Sequence, residues 1–166
     1  LEGPSVKGLE GLPRLAYIAQ IHGQQHGTFV DEQIIYGSNT VGMMPTVLHP
    51  NEWLDGALVI SYSWGAGGME TYFHQNNPIV KELYRSHQAG EITFVGTVVM
   101  VAANIEEEMS RNCMIAAHLA KWNLRADGAI VTRYVGGAPH ADMFETARIC
   151  EPMGIRTVVQ PSASGP

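Results

Sequence analysis

EITFVGTVVMVAANIEEEMSRNCMIAAHLAKWNLRADGAIVTRYV, residues 91–135, is the stretch that decides the fold. Its first twelve residues are short, apolar and rich in β-branched side chains, which reads as a strand buried within a sheet. Asn104 is placed to cap a helix from about Ile105 to Leu124, with Glu107 three residues further on. Glu106, Glu107 and Glu108 fill the first turn and Lys121 and Arg125 lie at the far end, complementing the helix macrodipole. DGAIVTRYV then returns to the strand pattern. Strand, helix and strand in succession form a βαβ unit, and its crossover makes the two strands parallel.

Working outward, RLAYIAQI (14–21), MPTVLHP (44–50) and DGALVIS (55–61) are short apolar runs bounded by turn residues and read as strands. NNPIVKELYRSHQAG (76–90) reads as a helix with Pro78 in its first turn and Gly90 at its end. PHADMFETARICEPMG (139–154) is a second such helix, and IRTVV (155–159) a last strand. The alternation predicts an α/β fold: a doubly wound, largely parallel sheet with helices on both faces. One domain is expected over residues 14–160, behind a Gly/Pro-rich stretch at 1–13 and before a short tail at 161–166. A start at Leu1 and an end at PSASGP read as a fragment or processed piece.

The chain has 166 residues, 45% of them hydrophobic, enough to bury a core of its own. A net charge of −6 without any Lys/Arg run points away from nucleic acid and anionic membranes and toward small molecules or protein partners. Cys113 and Cys150 form no CxxC and fall inside helical patterns, so they read as small core residues in a reducing, cytoplasmic setting. No apolar run has the length of a membrane span, and no GxGxxG or P-loop fingerprint occurs in the required strand-to-helix context.

Open α/β sheets bind ligands outside the carboxyl ends of their strands. His22 and His26 follow the first strand, His49 the second, and Ser61 to Gly68 (SYSWGAGG) the third. YVGGAPHAD, Tyr134 to Asp142, follows the strand before the last helix, and His74 in YFHQNNP leads into a helix. Five of the seven histidines are therefore expected along one edge. His22 and His26 are candidate metal ligands, although HxxxH outside a helix does not fix two ring nitrogens on one face. His140 and Asp142 sit where a helix N-terminus favours an anion, and HQNNP reads equally as a cap or a ligand contact. His87 and His118, within helices, read as structural or solvated.

LPRLAYIAQIHGQQHGTF, MPTVLHPNEWLDGALV, HQNNPIVKELYRSH, ITFVGTVV and RADGAIVTRYVGGAPHAD together, in order and spacing, resemble the proprotein subunit of component B in glycine/sarcosine/betaine reductases. The resemblance to the proline reductase proprotein is more distant. It runs from about Leu12 to Val159 and corresponds to a central part of a longer subunit. It implies a subunit cut at an internal Cys that becomes a pyruvoyl group, whose carbonyl engages a substrate amine. A partner subunit with a selenocysteine or cysteine then attacks the substrate carbon and cleaves the C–N bond. The family Cys maps at or near Ser63, and no Cys lies before Cys113 here; a Ser can generate pyruvoyl by the same acyl shift and elimination. His26, His74, Asn76, Asn77 and Asp142 match positions in the family pattern, whereas His22, His49 and His140 do not obviously do so.

The expectation is a reductase-like subunit that acts on a C–N bond of a small amino- or amide-bearing substrate in a hetero-oligomer. Ser63 would be the electrophile precursor or a pocket hydroxyl, with His26 and His74 as acid/base or orienting groups. Asp142 would hold substrate nitrogen, and Tyr62, Trp64, Gly65, Asn76, Asn77, Tyr134 and His140 would line the pocket. Two alternatives stand beside it. One is a hydrolase or lyase with Zn or Fe held by two or three of His22, His26, His49, His74 and His140; the other is a non-catalytic binding or scaffold subunit.

Overall fold

The computed structural model describes residues 10–21, 40, 42–58, 70–103, 105–133 and 139–160. β1 (Arg14–Ile21) lies at the centre of a five-stranded sheet, between β3 (Thr93–Val101) and β4 (Gly128–Arg133). β5 (Arg156–Gln160) pairs with β4, and β2 (Thr46–Leu48) with β3, giving the order β2-β3-β1-β4-β5. All pairs are parallel except β2 with β3. The expected α/β architecture is therefore what the chain forms.

Helices α1 (Pro50–Leu54), α2 (Glu70–Gln75) and α3 (Pro78–Gln88) separate β2 from β3. α4 (Glu106–His118) joins β3 to β4, and α5 (Pro139–Cys150) joins β4 to β5. The chain steps from β1 to β3 in one direction across the sheet, then to β4 and β5 in the other. Right-handed crossovers consequently place α3 on one face and α4 and α5 on the other. The core divides accordingly. Ala16 and Ile18 of β1 pack with Cys113, Ala116 and Ala117 of α4 and Met143 and Cys150 of α5. Tyr17, Ala19 and Ile21, on alternate positions, pack with Trp53 of α1 and Val80 and Leu83 of α3. Full burial of a side chain such as Ile18 or Val98 contributes about 1.5–3 kcal/mol.

The chain that follows α4 meets β3 at a close approach that requires glycine. The register slips between Leu15 and Ala16, whose partners are Phe94 and Gly96. Gly96 takes φ +140, and a Cβ there would lie 2.9 Å from Leu124 Cδ2.

Three expectations change. DGALVIS does not begin as a strand: Asp55 and Gly56 form the turn that ends α1, Ala57 and Leu58 are not in the sheet, and residues 59–61 lie outside the described part. α1 itself escapes a reading based on common caps, because a histidine supplies the acceptor. His49 Nδ1 accepts the Asn51 N–H at 3.1 Å, and Glu52 Oε2 accepts the His49 N–H at 2.8 Å. Finally, α4 is capped at Ile105 without a side-chain bond, Asn104 lying outside the described residues. It ends at His118 and continues as one π-helical turn over Leu119–Asn123. Among the described residues no helix is long and apolar enough to cross a membrane.

Candidate active site at the carboxyl edge of the sheet

β1 is the strand from which the chain departs in one direction and to whose other side it later returns, so the topological switch point lies between β1 and β4. Ligands of open α/β sheets bind outside the strand ends at such a crevice. Gln20 and Arg133 are register partners there, at the last paired position of the two strands. Side-chain alternation places both on the α4/α5 face, shared with Ile18 and Val131. Both are buried, which is unusual for a guanidinium and an amide.

Asp142 joins them from the first turn of α5. The residue is 2% exposed, and its Oδ2 accepts a 2.7 Å bond from Gln20 Nε2. Burial pushes the Asp142 carboxyl above the usual carboxylate range, and the Gln20 amide pulls against it. The backbone is held independently of the carboxylate. Thr146 Oγ1 donates to the Asp142 carbonyl at 2.8 Å, and Cys113 Sγ donates to the same oxygen at 3.4 Å. The side chain is thus presented from a fixed backbone, as a ligand-binding group has to be.

On the opposite face a second polar set lies among aromatic rings. Tyr17 Oη and Thr132 Oγ1 are 2.8 Å apart, and Asn77 Nδ2 donates to Tyr17 Oη at 3.1 Å. Asn77 Oδ1 accepts from the Ile79 and Val80 N–H groups, at 2.9 and 3.0 Å, and so caps α3. Burial raises the Tyr17 phenol, which stays protonated. Trp53 stands between Tyr17 and His74, at ring-centroid distances of 5.4 and 5.5 Å, with His74 edge-on and buried.

Asp142 and His74, two expected site residues, therefore lie on opposite faces of the sheet. Asn77 is buried in the α3 cap, and exposed Asn76 bonds to the Tyr72 carbonyl and accepts from Lys81 Nζ. His49 leaves the predicted edge: β2 runs antiparallel, so its end at Leu48, paired with Thr97, points toward the amino-terminal side of β3. Ser63, Tyr62, Trp64, Gly65, His22, His26 and Tyr134 lie outside the described residues, and of His140 only the place in α5 is described.

Among the described residues no three His, Cys, Asp or Glu side chains gather as a metal site. Cys113 and Cys150 are core residues, as expected, and burial pushes each thiol up to about 11. Both lie inside helices, where a cut of the backbone would break the ladder, so neither fits as the source of a pyruvoyl group.

Gln20 and Arg133 went unnoticed in the sequence. The available signal was a polar side chain at the end of an otherwise apolar central strand (RLAYIAQI) and a cation closing another (GAIVTR).

A family model described as glycine/sarcosine/betaine reductase component B subunits matches residues 4–163. The glycine reductase complex component B subunits alpha and beta of Peptoclostridium acidaminophilum are 34% identical over 151 residues, 89% of this chain and 34% of that protein. The betaine reductase complex component B subunit alpha of the same organism is 34% identical over 149 residues, 89% of this chain and 33% of that protein. Its sarcosine counterpart is 24% identical over 157 residues, 94% of this chain and 36% of that protein. The chain thus spans about a third of the length of the curated relatives it matches. No solved structure matches it.

Proposed function

The chain belongs to the family of glycine/sarcosine/betaine reductase component B subunits, and from that membership we propose that it forms the substrate-holding part of such a subunit. Glycine, sarcosine and betaine, for which the relatives are named, share one frame: a nitrogen on the carbon next to a carboxylate. The substrate class proposed for this chain is that frame, a small acid with an amino or ammonium group. A zwitterion needs two opposite charges at fixed spacing. Asp142 holds the nitrogen from the first turn of α5, and Arg133, buried at the end of β4, brings a guanidinium to the same strand ends for the carboxylate.

The nucleophile comes from a second subunit. A thiol at about 11 is almost wholly protonated at neutral pH, and both thiols here are closed inside the core. A cysteine or selenocysteine of the partner attacks the carbon bearing nitrogen. The new bond forms as the C–N bond breaks, and its electron pair leaves with nitrogen, so an ammonium departs as a neutral amine. Ser63 is assigned as a pocket hydroxyl and His26 as an acid/base group, whereas His74 stays with the aromatic set on the opposite face. Tyr62, Trp64, Gly65, Tyr134 and His140 complete the lining. No step here passes through a pyruvoyl group.

The observation that carries this reading is the buried Gln20–Asp142 pair at the switch point, an acid held among core residues where a structural role would favour an apolar side chain. Asp142→Asn tests it. The isosteric amide still accepts from Gln20, and burial no longer opposes a charge, so the melting temperature holds or rises. Turnover in the assembled complex falls at least about 100-fold, the loss expected when a charged partner of a substrate cation is removed. Unchanged turnover would remove Asp142 from the site.

A further inference from the structure

The two oxygens of the Gln20–Asp142 pair that remain after their mutual bond are both acceptors. Gln20 Nε2 is committed to Asp142 Oδ2, and Gln20 Oε1 has no hydrogen-bond partner, although the side chain is 3% exposed. A buried carbonyl oxygen without a donor is costly and rare. It lies beside the N-terminus of α5, at the place where the fold binds ligands. The Gln20 oxygen is therefore open to a donor carried by a bound ligand. An amide oxygen and a carboxylate oxygen side by side suit a group with at least one N–H and a positive charge.

Resting on the substrate class proposed above, we infer that Gln20 is the specificity-determining residue of this site: with Asp142 it selects an ammonium that retains an N–H and rejects a fully alkylated one. A quaternary nitrogen satisfies Asp142 through charge alone. It leaves the Gln20 oxygen desolvated against methyl groups and without a donor. Sites built to hydrogen-bond a substrate group discriminate strongly against analogues lacking it, because the buried partner is then orphaned. This chain therefore belongs with users of primary or secondary amino acids.

The test is ligand-observed NMR titration of the full chain with glycine, N-methylglycine and N,N,N-trimethylglycine. Glycine and N-methylglycine are expected to bind at least about 100-fold more tightly than the trimethyl compound. Gln20→Leu, which keeps the volume and removes the acceptor, narrows that ratio to within about 10-fold, whereas Gln20→Glu, which keeps an acceptor oxygen, preserves it. General damage to the fold lowers all three affinities together and leaves the ratio alone, so the ratio is the diagnostic quantity. A trimethyl compound bound as tightly as glycine, or a ratio indifferent to Gln20→Leu, overturns the inference while leaving the substrate class standing. Failure of all three to bind overturns the substrate class, and this inference with it.

Discussion

Asn77 is where a structural and a ligand role make opposite predictions, and replacing it with Ala separates them. The side chain has three bonds in the fold: Oδ1 to the Ile79 and Val80 N–H groups, and Nδ2 to Tyr17 Oη. Loss of an N-cap acceptor costs about 1 kcal/mol, and loss of a neutral buried hydrogen bond about 1 kcal/mol more. Tyr17 keeps Thr132 as a partner, so no further penalty for an orphaned hydroxyl is added. The sum is about 2 kcal/mol, which for a domain of this size lowers the melting temperature by roughly 4–8 °C. Asn77→Asp keeps the cap oxygen at the positive end of α3 and loses only the donor to Tyr17, so it falls by about half as much. Thermal melts followed by circular dichroism, with Tyr17→Phe and the double variant, complete the cycle. A coupling between Asn77 and Tyr17 of about 0.5 kcal/mol or more is expected. If Asn77→Ala melts with the parent chain while substrate affinity collapses, the cap account is wrong and Asn77 is a ligand contact.

Two further outcomes follow from burial. His87 is buried, its Nδ1 accepts the Phe94 N–H at 3.1 Å, and burial lowers its titration below the ordinary histidine value. The unfolded chain therefore binds a proton that the folded chain refuses; the stabilising contribution is complete above about pH 6.5 and declines on acidification toward the lower folded value. Urea melts between neutral pH and pH 5 should show this slope, and His87→Leu, less stable at neutral pH, should flatten it; an unchanged slope would refute the assignment. Cys113 and Cys150 should resist a thiol-specific disulfide reagent in the native chain and both react in denaturant. Rapid native labelling of either would contradict its place in the core.

Most of the strands and the long helices were legible because their signals are local and redundant; DGALVIS was the exception, its first residues forming the turn that ends α1. RLAYIAQI corresponds residue for residue to β1, and Pro78 with Gly90 bracket α3, since a fixed φ and a residue free to take positive φ act on the chain without tertiary help. α1 was illegible for the converse reason. His49 is a rare capping residue, and only the folded backbone shows its Nδ1 within reach of Asn51. The direction of β2 was equally hidden, because three residues carry no mark of parallel or antiparallel pairing, and the histidine thought to share the carboxyl edge left it on that account.

The site shows the same limit in sharper form. Composition drew attention to the histidines and the glycine-rich loop, residues whose chemistry is conspicuous one at a time. Gln20 is inconspicuous alone and acquires meaning only through three facts of the fold: the strand order that makes β1/β4 the switch point, the register that aligns it with Arg133, and the crossover that brings the first turn of α5 against it. Asp142 was visible because it follows a glycine turn at a helix start, yet sequence alone could not say that its partner would be an amide rather than a cation. That difference governs the chemistry. A guanidinium bonded to Asp142 would close the site as a salt bridge, whereas Gln20 donates to one carboxylate oxygen and adds an acceptor of its own, so the pair still calls for a donor.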